Sequence, residues 1–311
     1  IIKEKETMYL IEFFKKVTQK ANIHVFIYLG LNLLLITYLI HFFFMDTETS
    51  TAVSYGKAVL ASVILYTASL AIALSPIGEW ILRFQTGCKK IDCPEQLARI
   101  EPIFREVYAR AKELEPAIPD DVHIFINDDT APNAFATGRK TICMTQGMLQ
   151  MPEDQIKATL AHEFGHLAHK DTDLTLVVCV GNMIVSAIIF GLKFLVELFH
   201  IAGDFAAFIM GGCDGFGVCL LNDLYHFIVT TVIAGVMGLW TWSGILLVRK
   251  SGREHEYAAD AFSVRAGYGD ALCMLLNEIG GQKATGLFAA LASSHPSKHE
   301  RIAKIRELQA M

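Results

Sequence analysis

The chain has 311 residues, of which 53% are apolar and only 19% charged, and its formal net charge is −5. Soluble globular domains carry roughly 25% charged residues, so the composition favours a chain with both soluble and membrane-embedded parts. The charges cluster in residues 76–172 and 249–311, which have the composition of soluble protein. No basic stripe is present, so no nucleic-acid partner is predicted.

Four apolar runs are long enough to cross a membrane, since about 20 helical residues span a hydrocarbon core of roughly 30 Å. They cover residues 25–45, 58–75, 174–192 and 227–248. Lys193 and Glu197 follow the third run at a spacing of four, which favours a pair at the membrane interface.

Basic residues indicate the orientation of these runs. Five lysines lie in residues 1–22, and further Lys and Arg follow the second and fourth runs, whereas residues 200–226 contain none. An excess of Lys and Arg marks cytoplasmic loops. We therefore predict a multi-pass protein of the lipid bilayer whose soluble parts and termini face the cytoplasm.

The soluble parts show helical and strand patterns. Apolar residues at spacings of three and four predict a helix over residues 94–115, and residues 122–126 predict a strand. Two short strands are predicted within residues 133–145, and helices are predicted to begin at Pro152 and at Arg253. The predicted fold class is α+β, with four transmembrane helices and a mostly helical domain that carries a small β-sheet.

The helix after Pro152 contains His162-Glu163-Phe164-Gly165-His166. Histidines four residues apart share a helix face and can bind one metal ion, for which Zn²⁺ is the usual choice. Glu163 lies beside them, where a carboxylate can act as base towards water. The sequence therefore predicts a zinc hydrolase centre with one Zn²⁺ per chain.

A catalytic zinc site needs a third protein ligand. His169 is near, but about 10.5 Å of helix rise separates it from His162, too far for one ion. Glu256 and Asp260 share a helix face and suit a ligand with an outer carboxylate. Taken alone, this pair would better fit a solvated acidic face, but beside the H-E-x-x-H motif a zinc ligand is the preferred interpretation.

Four stretches of the sequence together resemble one metalloprotease family. They are Pro132 to Gly138, His162 to His166, Arg253 to Asp260, and His295-Pro296 with Arg301. The chain resembles the gluzincin family that contains the HtpX-type heat-shock membrane proteases, the CAAX prenyl proteases and the mitochondrial Oma-type proteases. The HtpX type is the most similar, and the resemblance covers almost the whole chain.

The resemblance implies a role for each matching residue. His162, His166 and Glu256 would bind zinc, Glu163 would be the base, and Asp260 would orient a ligand histidine. The remaining implied residues would lie near substrate: His295, Arg301, Asn133, Ala134, Phe135 and Ala136. Two positions depart from the family pattern, because His255 replaces a frequent arginine and Ser297 replaces a second proline.

The resemblance also implies a function. We expect an integral zinc endopeptidase of the bacterial inner membrane that acts in stress response and quality control. Misfolded membrane proteins or unfolded polypeptides are the expected substrates, and other quality-control proteases are expected partners. The alternatives are a CAAX-type processing peptidase, which predicts more membrane spans, and a non-catalytic scaffold or holdase, which has no need of the zinc residues.

Five segments are predicted along the chain. These are a cytoplasmic N-terminal segment (1–24), a first transmembrane hairpin (25–75), the first part of the peptidase domain (76–173), a second transmembrane hairpin (174–248) and the second part of the peptidase domain (249–311).

Overall fold

The computed structural model describes residues 22–44, 51–210, 215–278 and 297–311, together with Lys15 and Thr18. The helices in these ranges are α1 Ile23–Phe44, α2 Thr51–Ala73, α3 Pro76–Gln85, α4 Pro94–Leu114, α5 Glu153–Ala168, α6 Asp171–Met210, α7 Gly215–Arg265, α8 Gly269–Glu278 and α9 Lys298–Gln309. Between α4 and α5 lie β1 His123–Asn127, β2 Ala134–Ala136, β3 Thr141–Thr145 and a 3₁₀ turn, Met148–Gln150. The described chain is therefore mostly helical with a small sheet, as predicted.

The chain forms two compact units. The first comprises Ile1–Gly181 and Leu247–Met311, and the second comprises Asn182–Leu246. The first contains the sheet and the beginning of α6 and the end of α7. Compactness does not locate a membrane, so the five predicted segments stay a prediction.

Two helices among the described residues are long and apolar enough to cross a membrane. They cover Ile23–His41 and Thr51–Ala73, with mean hydropathies of 2.1 and 1.7. Their ends meet where His41 stacks on Tyr55 at 3.7 Å between ring centroids. The third and fourth predicted spans fall within α6 and α7, where the described residues show only a shorter apolar stretch, Leu220–Gly235. Four crossings are thus not shown.

The sheet has the strand order β1-β3-β2 within the described chain, so β2 lies at an edge. β3 is buried along its whole length and pairs in parallel with β1 and antiparallel with β2. The Thr137 N–H donates to the Thr141 carbonyl at 2.9 Å, and the Thr145 N–H donates to the Asn133 carbonyl at 2.9 Å. Because hydrogen-bonded pairs alternate in an antiparallel ladder, the N–H and C=O groups of Ala134 and Ala136 point away from β3.

Helix α5 is fixed by the core of the first unit. Phe164 is fully buried and lies 5.6 Å from Phe104 and 5.3 Å from Tyr108 of α4, measured between ring centroids. Burial of one such side chain contributes roughly 1.5–3 kcal/mol. The helix that carries the paired histidines is therefore one of the most firmly packed elements of this unit.

The prediction of a new helix at Arg253 is wrong. Helix α7 runs without interruption from Gly215 to Arg265 and passes through this position. Only Ser251-Gly252 separates the basic residues here, and one glycine inside a helix costs about 1 kcal/mol, too little to end a helix of this length. A change from apolar to polar residues was mistaken for a helix boundary.

Candidate metal centre

His162 and His166 lie one turn apart on the same face of α5. Their ring centroids are 4.8 Å apart and the ring planes are nearly perpendicular, at 89°. Acidic residues in the first turn of α5, Glu153 and Asp154, favour the helix start and so set the register of both histidines. The predicted two-histidine face is present.

Glu256 reaches this face from α7. Its Oε2 lies 3.6 Å from Nε2 of His162, and its Oε1 lies 3.5 Å from Nε2 of His166. In a tetrahedral zinc site with bonds of about 2.0–2.1 Å, neighbouring ligand atoms lie roughly 3.3 Å apart. The two histidines and the glutamate, all within 4.8 Å of one another, therefore fit one small ion. His169 ends α5 and does not belong to this group.

The two ligand-bearing helices approach closely at Gly165. A Cβ atom at this position would lie 2.8 Å from the Cα of Ala259 and 3.0 Å from the Cβ of Phe262. Only glycine avoids this overlap, so the absence of a side chain lets α7 come near enough for Glu256 to meet both rings.

Each histidine has a carboxylate behind it. Nδ1 of His162 lies 2.9 Å from Asp260, and Nδ1 of His166 lies 3.2 Å from Asp171. An ionised carboxylate can only accept a hydrogen bond, so each Nδ1 carries a proton, and Nε2 is the nitrogen that each ring turns towards Glu256.

Sequence reasoning identified Asp260 but missed Asp171. Asp171 follows α5 by three residues, after Lys170, whose φ of 56° turns the chain back towards His166. The available signal was an acidic residue just beyond the end of the histidine helix.

Arg301 lies behind the ligand set. Its Nε and Nη2 donate to the two oxygens of Asp260 at 2.8 and 2.6 Å, and its Nη1 lies 3.2 Å from Oε2 of Glu256. Ser297 begins α9 with a capping box shared with Glu300, which positions Arg301 one turn later. The side chain is buried by these contacts. A role at the substrate carbonyl stays a prediction.

Glu163 is buried beside the two histidines, and its Oε2 accepts a hydrogen bond of 2.8 Å from the Ala136 N–H. Burial raises the pKa of Glu163 above its ordinary value, although His166 and His162 oppose the rise. The bond from β2 holds the carboxylate at a defined place, as a base requires.

The electrostatics of the centre favour a cation. Within the described chain, the carboxylates of Glu163, Glu256, Asp260 and Asp171 face the histidines, against the single guanidinium of Arg301. Burial lowers the pKa of His166, yet Asp171 and Glu256 together raise it well above its usual value. For Asp260, burial raises the pKa, but His162 and Arg301 hold it below its usual range. The donor set and its charge both fit a divalent metal.

The turn between β2 and β3 is held in place from two helices. Gly138 has a φ of 90°, and Glu79 of α3 accepts hydrogen bonds from the N–H groups of Arg139 and, at 3.0 Å, Lys140. The Arg139 side chain also bonds Asp173 of α6 at 2.8 Å. These contacts fix the end of β2 that supports Glu163.

A model of peptidase family M48 matches residues 94–309, more than two thirds of the chain. The chain belongs to this family. Its M48 region begins at α4 and contains the sheet, both ligand-bearing helices and Arg301.

Relatives of this M48 chain are named HtpX proteases. The "Protease HtpX homolog" of Janthinobacterium sp. (strain Marseille) is 28% identical over 81% of this chain and 86% of its own length. "Protease HtpX" of Tolumonas auensis is 26% identical over 84% of this chain and 89% of its own length. "Protease HtpX" of Idiomarina loihiensis is 30% identical over 60% of this chain and 59% of its own length. The resemblance to the HtpX type is confirmed.

The predicted site residues of the M48 chain fall into three groups. Those in contact around one point are His162, Glu163, His166, Glu256, Asp260, Arg301 and Ala136. Asn133, Ala134 and Phe135 lie on or beside the edge strand β2. His295 lies outside the described residues.

Proposed function

We propose that the chain is an integral-membrane zinc endopeptidase. The observation that carries this proposal is the convergence of His162, His166 and Glu256 on one point, with the buried carboxylate of Glu163 beside them. Two imidazoles and one carboxylate, with one position left for water or substrate, are typical of catalytic zinc sites. Membership of a peptidase family supports peptide bonds as the substrate class.

Glu163 would act as the general base and then as the general acid. Zn²⁺, when bound, supplies Lewis acidity that brings the pKa of water to near neutrality and polarises a carbonyl. Glu163 would take the proton from the attacking water and return it to the leaving amine, a role worth about 10²–10⁴-fold in rate. The bond from the Ala136 N–H occupies Oε2 and leaves Oε1 for this transfer.

The residues behind the ligands would hold them in place. Asp260 and Asp171 fix the rotation and tautomer of the two histidines, and Arg301 ties Asp260 to Glu256. Such outer contacts contribute to metal affinity without touching the metal.

Substrate would lie along β2 in an extended conformation. An exposed strand edge binds peptides of many sequences through main-chain hydrogen bonds. The N–H and C=O groups of Ala134 lie on that edge, although the residue is only 7% exposed, and the Ala136 N–H, on the same edge, is bonded to Glu163. The main-chain groups of Ala134 and the carbonyl of Ala136 are therefore the proposed contacts.

The substrates would be misfolded membrane proteins or unfolded polypeptides, cleaved at the cytoplasmic face of a bacterial inner membrane. The two apolar helices and the HtpX-named relatives support a membrane location. The same proposal includes four membrane crossings, cytoplasmic termini, a part in stress response and other quality-control proteases as partners. It rests on charge distribution and family resemblance.

The test is Glu163→Gln in the full chain, purified in detergent and assayed for zinc content and cleavage of an unfolded protein such as casein. Glutamine still accepts from Ala136, so we expect zinc to be retained and cleavage to fall by about 10²–10⁴-fold. Glu153→Gln makes the same chemical change on the exposed first turn of α5 and should cleave as the wild type does. Substantial cleavage by zinc-loaded Glu163→Gln protein would refute the mechanism.

A further inference from the structure

A second group of histidines and carboxylates lies between α6 and α7 in the second unit. It consists of Glu197, His200 and Asp204 on α6 and Asp223 and His226 on α7. The surrounding surface of this unit is strongly apolar, with exposed side chains that include Phe199, Phe205, Leu221 and Phe227. His200 and His226 are largely buried within this group, whereas the side chains of Glu197 and Asp223 are more than half exposed.

The group is built from one short pattern that occurs on both helices. Glu197 precedes His200 by three residues on α6, and Asp223 precedes His226 by three residues on α7. Residues three apart share a helix face, so each helix presents one carboxylate and one imidazole to the other. A carboxylate followed three residues later by histidine is the unit from which helical bundles build di-iron and di-manganese sites.

The two patterns pair reciprocally across the helices. Nε2 of His200 lies 2.8 Å from Asp223, and Nε2 of His226 lies 2.7 Å from Glu197. The two rings stack with 4.2 Å between their centroids. Glu197 therefore contacts the opposite helix, in addition to any interaction with Lys193 that its spacing predicts.

The helices are also held close at the neighbouring turn. The side-chain amide of Asn222 donates to the His200 carbonyl at 3.0 Å and to Asp204 at 2.9 Å. It lies where a Cβ on Gly203 would come within 3.0 Å of the amide nitrogen. The two helices are thus held together at a contact that does not involve the side chains of His200, His226, Glu197 or Asp223.

The group has more carboxylates than cationic side chains. Three carboxylates face two histidines, and the nearest basic residue in the sequence is Lys193, one helical turn before Glu197. Candidate ligand atoms of Glu197, His200 and His226 lie within 4.8 Å of one another, as do those of His200, Asp204 and Asp223.

We propose that this group binds a divalent transition-metal ion, such as Zn²⁺, through Glu197, His200 and His226, with Asp223 2.8 Å from His200 beside them. Imidazole and carboxylate together suit Zn²⁺, Fe²⁺ and related ions. The distance of 2.7 Å between Nε2 of His226 and Glu197 would need to widen by about 0.6 Å to suit two ligands of one zinc ion. The ion would fasten α6 to α7 independently of the catalytic centre.

The test counts zinc in the full chain in detergent, with Glu163→Gln as the parent so that the protein cannot digest itself. We expect about two Zn²⁺ per parent chain and about one after His200→Gln with His226→Gln. Glutamine still donates to Glu197 and Asp223, so the helix pair can keep its hydrogen bonds while it loses its metal ligands. Tyr225→Phe on the same turn is the matched control and should keep both ions.

A second titration separates this site from the proposed catalytic one. Parent protein that also carries Glu256→Ala should still take up about one Zn²⁺, and this uptake should vanish when His200→Gln and His226→Gln are added. The proposal is overturned if the Glu256→Ala protein takes up no Zn²⁺, or if the glutamine variants bind as much Zn²⁺ as their parents. Absence of cleavage by wild-type protein would count against the proposed function and leave this result standing.

Discussion

Asp171 provides a sharp test of how the metal centre is supported. Its carboxylate lies 3.2 Å from Nδ1 of His166, the face of the ring opposite to the metal position, and 3.6 Å from Nδ1 of His255. The side chain is only 8% exposed, so the interaction with His166 is little screened by water. Asp171→Ala removes the group that orients His166 and makes its Nε2 more basic.

The expected loss of zinc affinity can be scaled from this geometry. Loss of an outer-layer partner of a metal ligand typically costs 10–100-fold in affinity, or about 1.4–2.7 kcal/mol at 1.36 kcal/mol per decade. The bond of 3.2 Å is longer than the 2.9 Å between Asp260 and His162, and Arg301 does not reinforce it. We therefore expect Asp171→Ala to weaken zinc binding about tenfold. Asp171→Asn should weaken it less, because the amide oxygen can still accept a hydrogen bond.

Competition with a chromophoric chelator measures the zinc dissociation constant of each variant in detergent. Asp173→Asn is the control, because Asp173 lies in the same first turn of α6 but bonds Arg139 instead of a ligand histidine. Both changes remove one charge that favours the helix start, so that effect cancels. If folded Asp171→Ala protein binds zinc as tightly as the wild type, the support assigned to Asp171 is refuted.

Three further changes test other parts of the site. The Glu256→Ala protein should lose most of its zinc, and the His169→Ala protein should keep it, as measured by metal analysis. The opposite result would make His169 the third ligand in place of Glu256. Ala134→Pro removes an N–H on the side of β2 that faces away from β3 and should impair peptide cleavage far more than zinc binding, with Ala134→Ser as the control. Ala136→Pro would also disturb the base. Full activity of folded Ala134→Pro protein would exclude substrate binding through the Ala134 N–H. Gly138→Ala forces a side chain into a φ of 90° and should lower thermal stability by about 1–3 kcal/mol, and an unchanged melting temperature would show that the turn relaxes freely.

The sequence predicted the chemistry of the centre better than its supports. His162 and His166 follow from a local helical spacing, and the carboxylate at Glu256 from a pattern known to accompany it. The contact of Asp171 with His166 was not predicted, because a positive φ at Lys170 redirects the chain and no periodic sequence pattern reveals such a reversal. The contact of Glu79 with the Lys140 N–H was not predicted for a different reason, because the two residues are 61 positions apart in the sequence.

The fold was predicted unevenly for similar reasons. The strands and the helix after Pro152 were found because alternation and helical spacing report burial directly. The prediction that a helix begins at Arg253 was wrong. A change in hydrophobic pattern shows that the surroundings of a helix change and does not show that the helix ends. Helix α7 carries apolar residues along one part and Glu256 near its C-terminal end.

Gly165 gives the H-E-x-x-H motif a constraint that its notation hides. The position is written as free because it contributes no atom to the chemistry, yet a single methyl group there would collide with the backbone of Ala259. A sequence search that accepts any residue between Glu163 and His166 therefore admits chains that could form the histidine pair but not bring a third ligand to it. In this fold, the size of residue 165, which binds no metal itself, decides whether the two histidines can be joined by a third ligand.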